Sequence, residues 1–186
     1  FFSAAGAHHS LGQHEQELAV LRQLWKQHQR FSGTTWFRGP EAIALAALGR
    51  IDECLSIVAV AMTEPPNGPH RQGTMLVEVA GELRAHGHPG ESREMAERAI
   101  AWFERTELPS DLTTKVRLSS ITALALLDRN SEAYEIAEKL LASDPDNWQF
   151  QGVLGVEAAR IGDRKVALGL SRRLADVDEP LTMGQP

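Results

Sequence analysis

Apolar residues recur at three- and four-residue steps in five charged stretches of the chain. The first stripe is Leu18, Leu21, Leu24 and Trp25; the second is Ile51, Leu55, Val58 and Met62. Met95, Ala99 and Phe103 form the third, with Glu and Arg between them. Ala133, Ile136, Ala137, Leu140 and Leu141 form the fourth, and Val166, Leu170 and Leu174 the fifth. Each set is one apolar face of a helix too short to be stable alone, so it has to be buried against a neighbour. Between these stretches lie segments apolar around more of their circumference, such as Ala42 through Leu48 and Ile121 through Leu127. Helices of that kind sit between several neighbours. The pattern predicts ten short antiparallel helices, the first of them truncated.

The junctions repeat as well. They are Leu11-Gly12-Gln13, Leu48-Gly49-Arg50, His86-Gly87-His88, Leu127-Asp128-Arg129 and Ile161-Gly162-Asp163, with centres 37, 38, 41 and 34 residues apart. A central Gly in four of five suits a helix that ends on a left-handed residue, a conformation a Cβ disfavours. Pro40 is expected in a first helical turn, where its missing N–H is not needed. Ser110 and Asn147 are expected as N-caps. Breakers close the units at Glu64 through Gly68, Leu108-Pro109, Asp144 through Asn147 and Glu179-Pro180.

These residues resemble the tetratricopeptide repeat (TPR), a 34-residue helix–turn–helix unit. In 114–181 two units run without a gap, aligning Asp128 with Gly162, Ala133 with Ala167, Leu140 with Leu174 and Asp144 with Asp178. Ala133 and Ala167 fall where such repeats need a small side chain, and Leu154-Gly155 matches the family's leading-helix pair. Earlier units depart from the pattern. Cys54 and Ser92 replace the small Ala, loops near 67–72 and 107–113 are longer, and Glu17 at that position suggests a one-residue shift. The resemblance implies one all-α, TPR-like superhelical domain over 1–186, of about five hairpins with approximate units 1–34, 35–72, 73–113, 114–147 and 148–181. The start Phe1-Phe2-Ser3 and the loop-like Leu181 through Pro186 lead us to expect a piece cut at both ends from a larger bacterial-type TPR protein.

Composition agrees with helix: Ala (24) and Leu (22) dominate, and both lose little conformational freedom there. No apolar run approaches the roughly 20 residues that span a bilayer, so no membrane contact is expected. A net charge of −6 argues against nucleic acid as a partner. The excess of Arg over Lys, 15 to 4, suggests no function. A cytoplasmic setting is expected.

Phosphate loops, the Gly-rich dinucleotide fingerprint, the Gly-x-Ser-x-Gly elbow and His-Glu-x-x-His are absent, so no enzyme and no cofactor are expected. Candidate metal pairs are His86 with His88 and His9 with His14. No Asp, Glu or Cys is expected at ligand spacing beside either pair, which leaves the histidines as solvent-exposed turn residues. Cys54 is either a reactive thiol or a small packing residue; its neighbour Glu53 disfavours a thiolate, and packing is expected. Glu91, Glu94 and Glu97 near Arg93 and Arg98 read as ion pairs on a wet helix face. Trp25, Trp102 and Trp148 read as core. Trp36, in a Gly/Thr-rich segment, either anchors a partner or packs over the adjacent helix end.

Carried over residue by residue, the resemblance implies a concave face lined by leading helices. Its residues would be Trp36, Gly39 and Ile43; Val77, Glu78, Gly81 and Arg84; Lys115, Leu118, Ser119 and Thr122; and Gln149, Gly152, Val156 and Arg160. Arg84, Lys115 and Arg160 would supply isolated positive charges for a carboxylate or an acidic side chain. The Lys/Asn clamp with which some TPR proteins hold chaperone C-termini lacks its Asn residues here. The expected function is a non-enzymatic scaffold whose groove binds a protein or peptide, or is occupied by another domain of the same chain. The alternative is a sensor module in a larger bacterial signalling protein, a kinase or transcription regulator, binding a ligand or its own output domain.

Overall fold

The computed structural model describes residues 2–28, 35–63, 71–106 and 113–175. Among them lie ten helices: α1 (Phe2–Ser10), α2 (His14–His28), α3 (Thr35–Ala47), α4 (Ile51–Thr63), α5 (Arg71–Ala85), α6 (Pro89–Arg105), α7 (Thr113–Leu126), α8 (Asn130–Ser143), α9 (Trp148–Arg160) and α10 (Arg164–Ala175). The chain divides into two compact units, Phe1–Asp128 and Arg129–Pro186.

The helices break where the turn chemistry requires. Gly12, Gly49, Gly87 and Gly162 have φ of 67°, 68°, 86° and 83°, and Asp128 joins them at 60°. The residue after each glycine donates its N–H back across the turn: Gln13 to His8, Arg50 to Leu45, His88 to Leu83 and Asp163 to Ala158, at 2.8–2.9 Å. Each such bond satisfies a carbonyl the helix end leaves orphaned. The first turn has the same geometry as the others, so the expected one-residue shift does not occur. Glu17 stands five residues after Gly12, as Cys54 does after Gly49 and Ser92 after Gly87.

In the first unit α1 packs on α2, α3 on α4 and α5 on α6, while α2 meets α3, α3 meets α5, and α7 meets both α5 and α6. The core between them is closed: Leu21, Leu45, Val58, Leu76, Val79, Leu83 and Met95 are each less than 2% exposed. Burial of each such aliphatic side chain contributes about 1.5–3 kcal/mol. Buried polar side chains tie one helix to another. The buried Gln72 amide donates to the carbonyls of Ala61 and Met62 at 3.2 and 3.3 Å, and Ser92 Oγ donates to the Ala80 carbonyl at 2.7 Å. The Arg38 guanidinium lies 4.6 Å from the centre of the Trp25 ring, joining α3 to α2.

The second unit packs α9 against α8 and α10. Among its described residues, Ala133, Ala137, Leu140, Phe150, Leu154, Ala158 and Leu170 are the buried apolar ones. Asn147 caps α9 as expected, its side chain accepting from Gln149 and Phe150 N–H at 3.1 and 3.2 Å. A Cβ on Gly155 would touch Leu170 at 3.6 Å, so the Leu154-Gly155 pair marks a close helix approach.

Several expectations are corrected. Pro40 lies inside α3, because the helix begins five residues earlier at Thr35, and Trp36 is therefore helical rather than in a connecting segment. Arg71 and Gln72 are already in α5. Trp148 is 38% exposed, and Trp25 and Trp102 are only partly buried; large indoles at helix margins leave an edge in water. Ser110 and the breakers at 64–68, 108–109 and 179–180 fall outside the described residues.

Candidate functional site

Helices α3, α5 and α7 follow one another through the first unit and carry most of the expected recognition residues. Ile43 on α3 is half-buried, Glu78 on α5 is exposed, and α7 presents exposed Lys115 and Thr122 beside half-buried Leu118 and Ser119. Val77 departs from the expectation: it is 5% exposed and belongs to the core, being clustered with Leu76 and Ala80. A Cβ on Gly39 would meet Met75 at 3.4 Å, so this glycine serves helix packing between α3 and α5. Trp36 lies in the first turn of α3; its side chain is outside the described residues.

Several of the expected charges are coupled to neighbours within their own unit. Crowding by surrounding protein pushes the Glu78 carboxyl above the usual range, while Lys115 and Arg71 pull it down. Arg84 is not the isolated cation expected of it. Its guanidinium donates to the Leu126 carbonyl at 2.7 Å and lies 3.5 Å from Asp128, which Arg93 also approaches at 3.3 Å. Arg160 is likewise engaged, donating to Glu157 at 2.7 Å. Both guanidiniums sit one helical turn or one helix away from a fixed acceptor and pair with it. Lys115, too, has Glu78 nearby, so none of the three charges is isolated.

In the second unit, α9 presents exposed Gln149, Val156 (52% exposed) and Arg160, with Gly152 half-buried among them. Beneath them Glu157 is 3% exposed, and its Oε2 has no hydrogen-bond partner. Burial pushes its carboxyl up, with Arg160 opposing. Cys54 is fully buried, which pushes its thiol up to about 11 and supports its packing role. Of the acidic run on α6, Arg98 pairs with Glu94 at 3.9 Å.

The histidines depart furthest from expectation. His9 and His14 both direct Nδ1 at Oε2 of Glu17, each at 3.1 Å, and Glu17 is only 4% exposed. His86 Nε2 lies 3.0 Å from Glu82 Oε1, and His9 Nε2 lies 3.9 Å from Glu82 Oε2. The His14 ring centre is 5.3 Å from that of His9 and 5.6 Å from that of His86. Carboxylates therefore do accompany these histidines. Glu17 follows His14 by three residues and Glu82 precedes His86 by four, so half of the grouping stood at helical spacing in the sequence. His88, paired with His86 in the linear reading, is not part of it.

No protein family matches the chain at the level of sequence, and no curated protein does. Among solved structures, the chain is similar to a putative kinesin light chain from Podosopora anserina with nearly identical TPR-like repeats. The TM-score is 0.60 and the identity 18%, over 93% of this chain and 90% of that one. A point-substituted form of that protein gives a TM-score of 0.61 at 17% identity and the same coverage. The fold is thus all-α, a TPR-like helical solenoid. No helix of the described residues is long and apolar enough to cross a membrane.

Proposed function

We propose that this chain acts as a non-enzymatic interaction scaffold that holds a peptide, a helix or a folded domain against the leading-helix face of its first unit. The observation that carries the reading is the succession of α3, α5 and α7, packed one on the next. In the repeat register these helices would offer half-buried Ile43, Leu118 and Ser119 together with exposed Glu78, Lys115 and Thr122. A face of that mixture offers apolar anchors for side chains and polar groups that fix their orientation. Gln149, Val156 and Arg160 form a separate, smaller surface on the second unit. The Arg84 and Arg160 guanidiniums are already bonded, to the Leu126 carbonyl and to Glu157, and so are not isolated charges awaiting an acidic ligand.

Selection of peptides on the whole chain tests this reading. Peptides that bind the wild-type chain are expected to lose at least tenfold in affinity on Lys115→Glu and on Leu118→Asp, with the far-ultraviolet dichroism retained. Equal binding to both variants would place recognition elsewhere on the molecule.

A further inference from the structure

We propose that the first unit binds a divalent transition-metal ion of the zinc class between the α1–α2 turn and the end of α5. His14, His86 and Glu82 ligate it, His9 completes the set, and Glu17 orients the rings from beneath.

The donor atoms are already gathered. One ligand atom each of His14, Glu82 and His86 lies within 4.8 Å of the others, and the same is true of His9, His14 and Glu17. Zinc bonds of about 2.0–2.1 Å in a tetrahedron put ligand atoms roughly 3.3 Å apart. The His86–Glu82 and His9–Glu82 separations of 3.0 and 3.9 Å bracket that value. Closure onto an ion therefore shortens His14–Glu82–His86 separations that are no more than 4.8 Å, and His9 joins through the other oxygen of Glu82. Three imidazoles and one carboxylate make a borderline donor set suited to zinc, cobalt, nickel or copper, and unsuited to calcium or magnesium, which take oxygen.

Glu17 separates this grouping from a chance cluster of surface histidines. It occupies the small-residue position of the repeat, where the next two units carry Cys54 and Ser92, and burial of a carboxylate there is costly without partners. Its partners are the two imidazoles. An ionised carboxylate only accepts, so in this geometry each ring turns Nδ1–H to Glu17, which leaves Nε2 as the ring atom free to ligate an ion. That is the carboxylate–histidine arrangement that orients metal-binding imidazoles and raises their basicity. His9 Nε2 does face Glu82. The ion would tie the first hairpin to a helix more than sixty residues further along, within the same compact unit.

The test uses the whole chain, stripped with chelator and dialysed against zinc. We expect uptake of about one equivalent at micromolar free metal, and a higher melting midpoint in its presence. Cobalt in place of zinc is expected to give the intense visible bands of a four-coordinate site, and magnesium is expected to do nothing. His86→Ala removes an exposed turn side chain, leaves the helices intact and lowers zinc affinity at least tenfold. Glu17→Gln lowers it by about 10–100-fold. His88→Ala, outside the cluster, binds as wild type. No uptake by the wild-type chain, undiminished uptake by His86→Ala or Glu17→Gln, or an equal loss in His88→Ala would overturn the proposal.

Discussion

Arg84 donates to the Leu126 carbonyl at 2.7 Å, joining the end of α5 to the end of α7 across forty-two residues of chain. A cation at a helix C-terminus satisfies an orphan carbonyl and complements the helix dipole. Arg84→Ala is expected to lower the stability of the first unit by about 0.5–1.5 kcal/mol, read by chemical denaturation. An unchanged denaturation midpoint would return this side chain to the free recognition groups.

The neighbouring Asp128 holds a left-handed backbone at φ 60°, and its side chain meets Arg84 and Arg93 while remaining 60% exposed. Exposed ion pairs contribute about 0–1 kcal/mol, and a non-glycine residue in this conformation costs about 1–2 kcal/mol. Asp128→Gly is therefore expected to match or slightly exceed wild type in melting temperature. Asp128→Val, β-branched in the same conformation, is expected to fall well below both. A large loss in the glycine variant would mean that the ion pairs dominate the turn.

Among the described glycines, Gly73 marks the tightest approach. A methyl group there would stand under 3.0 Å from ring carbons of both Trp102 and Phe103. Helix propensity alone favours alanine by about 1 kcal/mol. Overpacking opposes it, and Gly73→Ala is expected to destabilise by about 1–3 kcal/mol in thermal unfolding. A stabilised variant would show that α5 and α6 are less closely packed here.

The buried Glu157 carboxyl is pushed up by burial, so the folded state holds its proton more firmly than the unfolded chain does. Its contribution to stability is present below the ordinary carboxylate range and is lost as pH rises through the folded pKa. Glu157→Gln removes that loss. The variant should exceed wild type in melting temperature at pH 8, and the gap should close at pH 4. A gap independent of pH would assign the effect to packing instead.

With its thiol raised to about 11 by burial, Cys54 holds almost no thiolate at neutral pH. Alkylation by iodoacetamide at pH 7.5 is expected only at the rate of unfolding and to become fast in denaturant. Rapid labelling of the folded chain would contradict its burial.

What could be read from residue order and what could not divide along the range of the forces involved. Gly12, Gly49, Gly87 and Gly162 announce turns because a left-handed backbone is a local steric matter, decided by the residue that adopts it. Helical stripes such as Leu18, Leu21 and Leu24 are legible for the same reason: helix periodicity alone puts them on one face. Pro40 misled because the start of a helix depends on what lies before it, here a turn that begins at Thr35.

The pairings of Arg84 with Leu126, Gly73 with Phe103 and His14 with His86 are of another kind. Each joins residues tens of positions apart, and each exists only because particular helices pack side by side. The local pattern assigned His14 and His86 a place on their own turns and no reason to meet. Val77 likewise carried a recognition role by repeat position, until packing enclosed it. Backbone conformation answers to nearest neighbours, whereas a site answers to which surfaces the buried apolar area brings together.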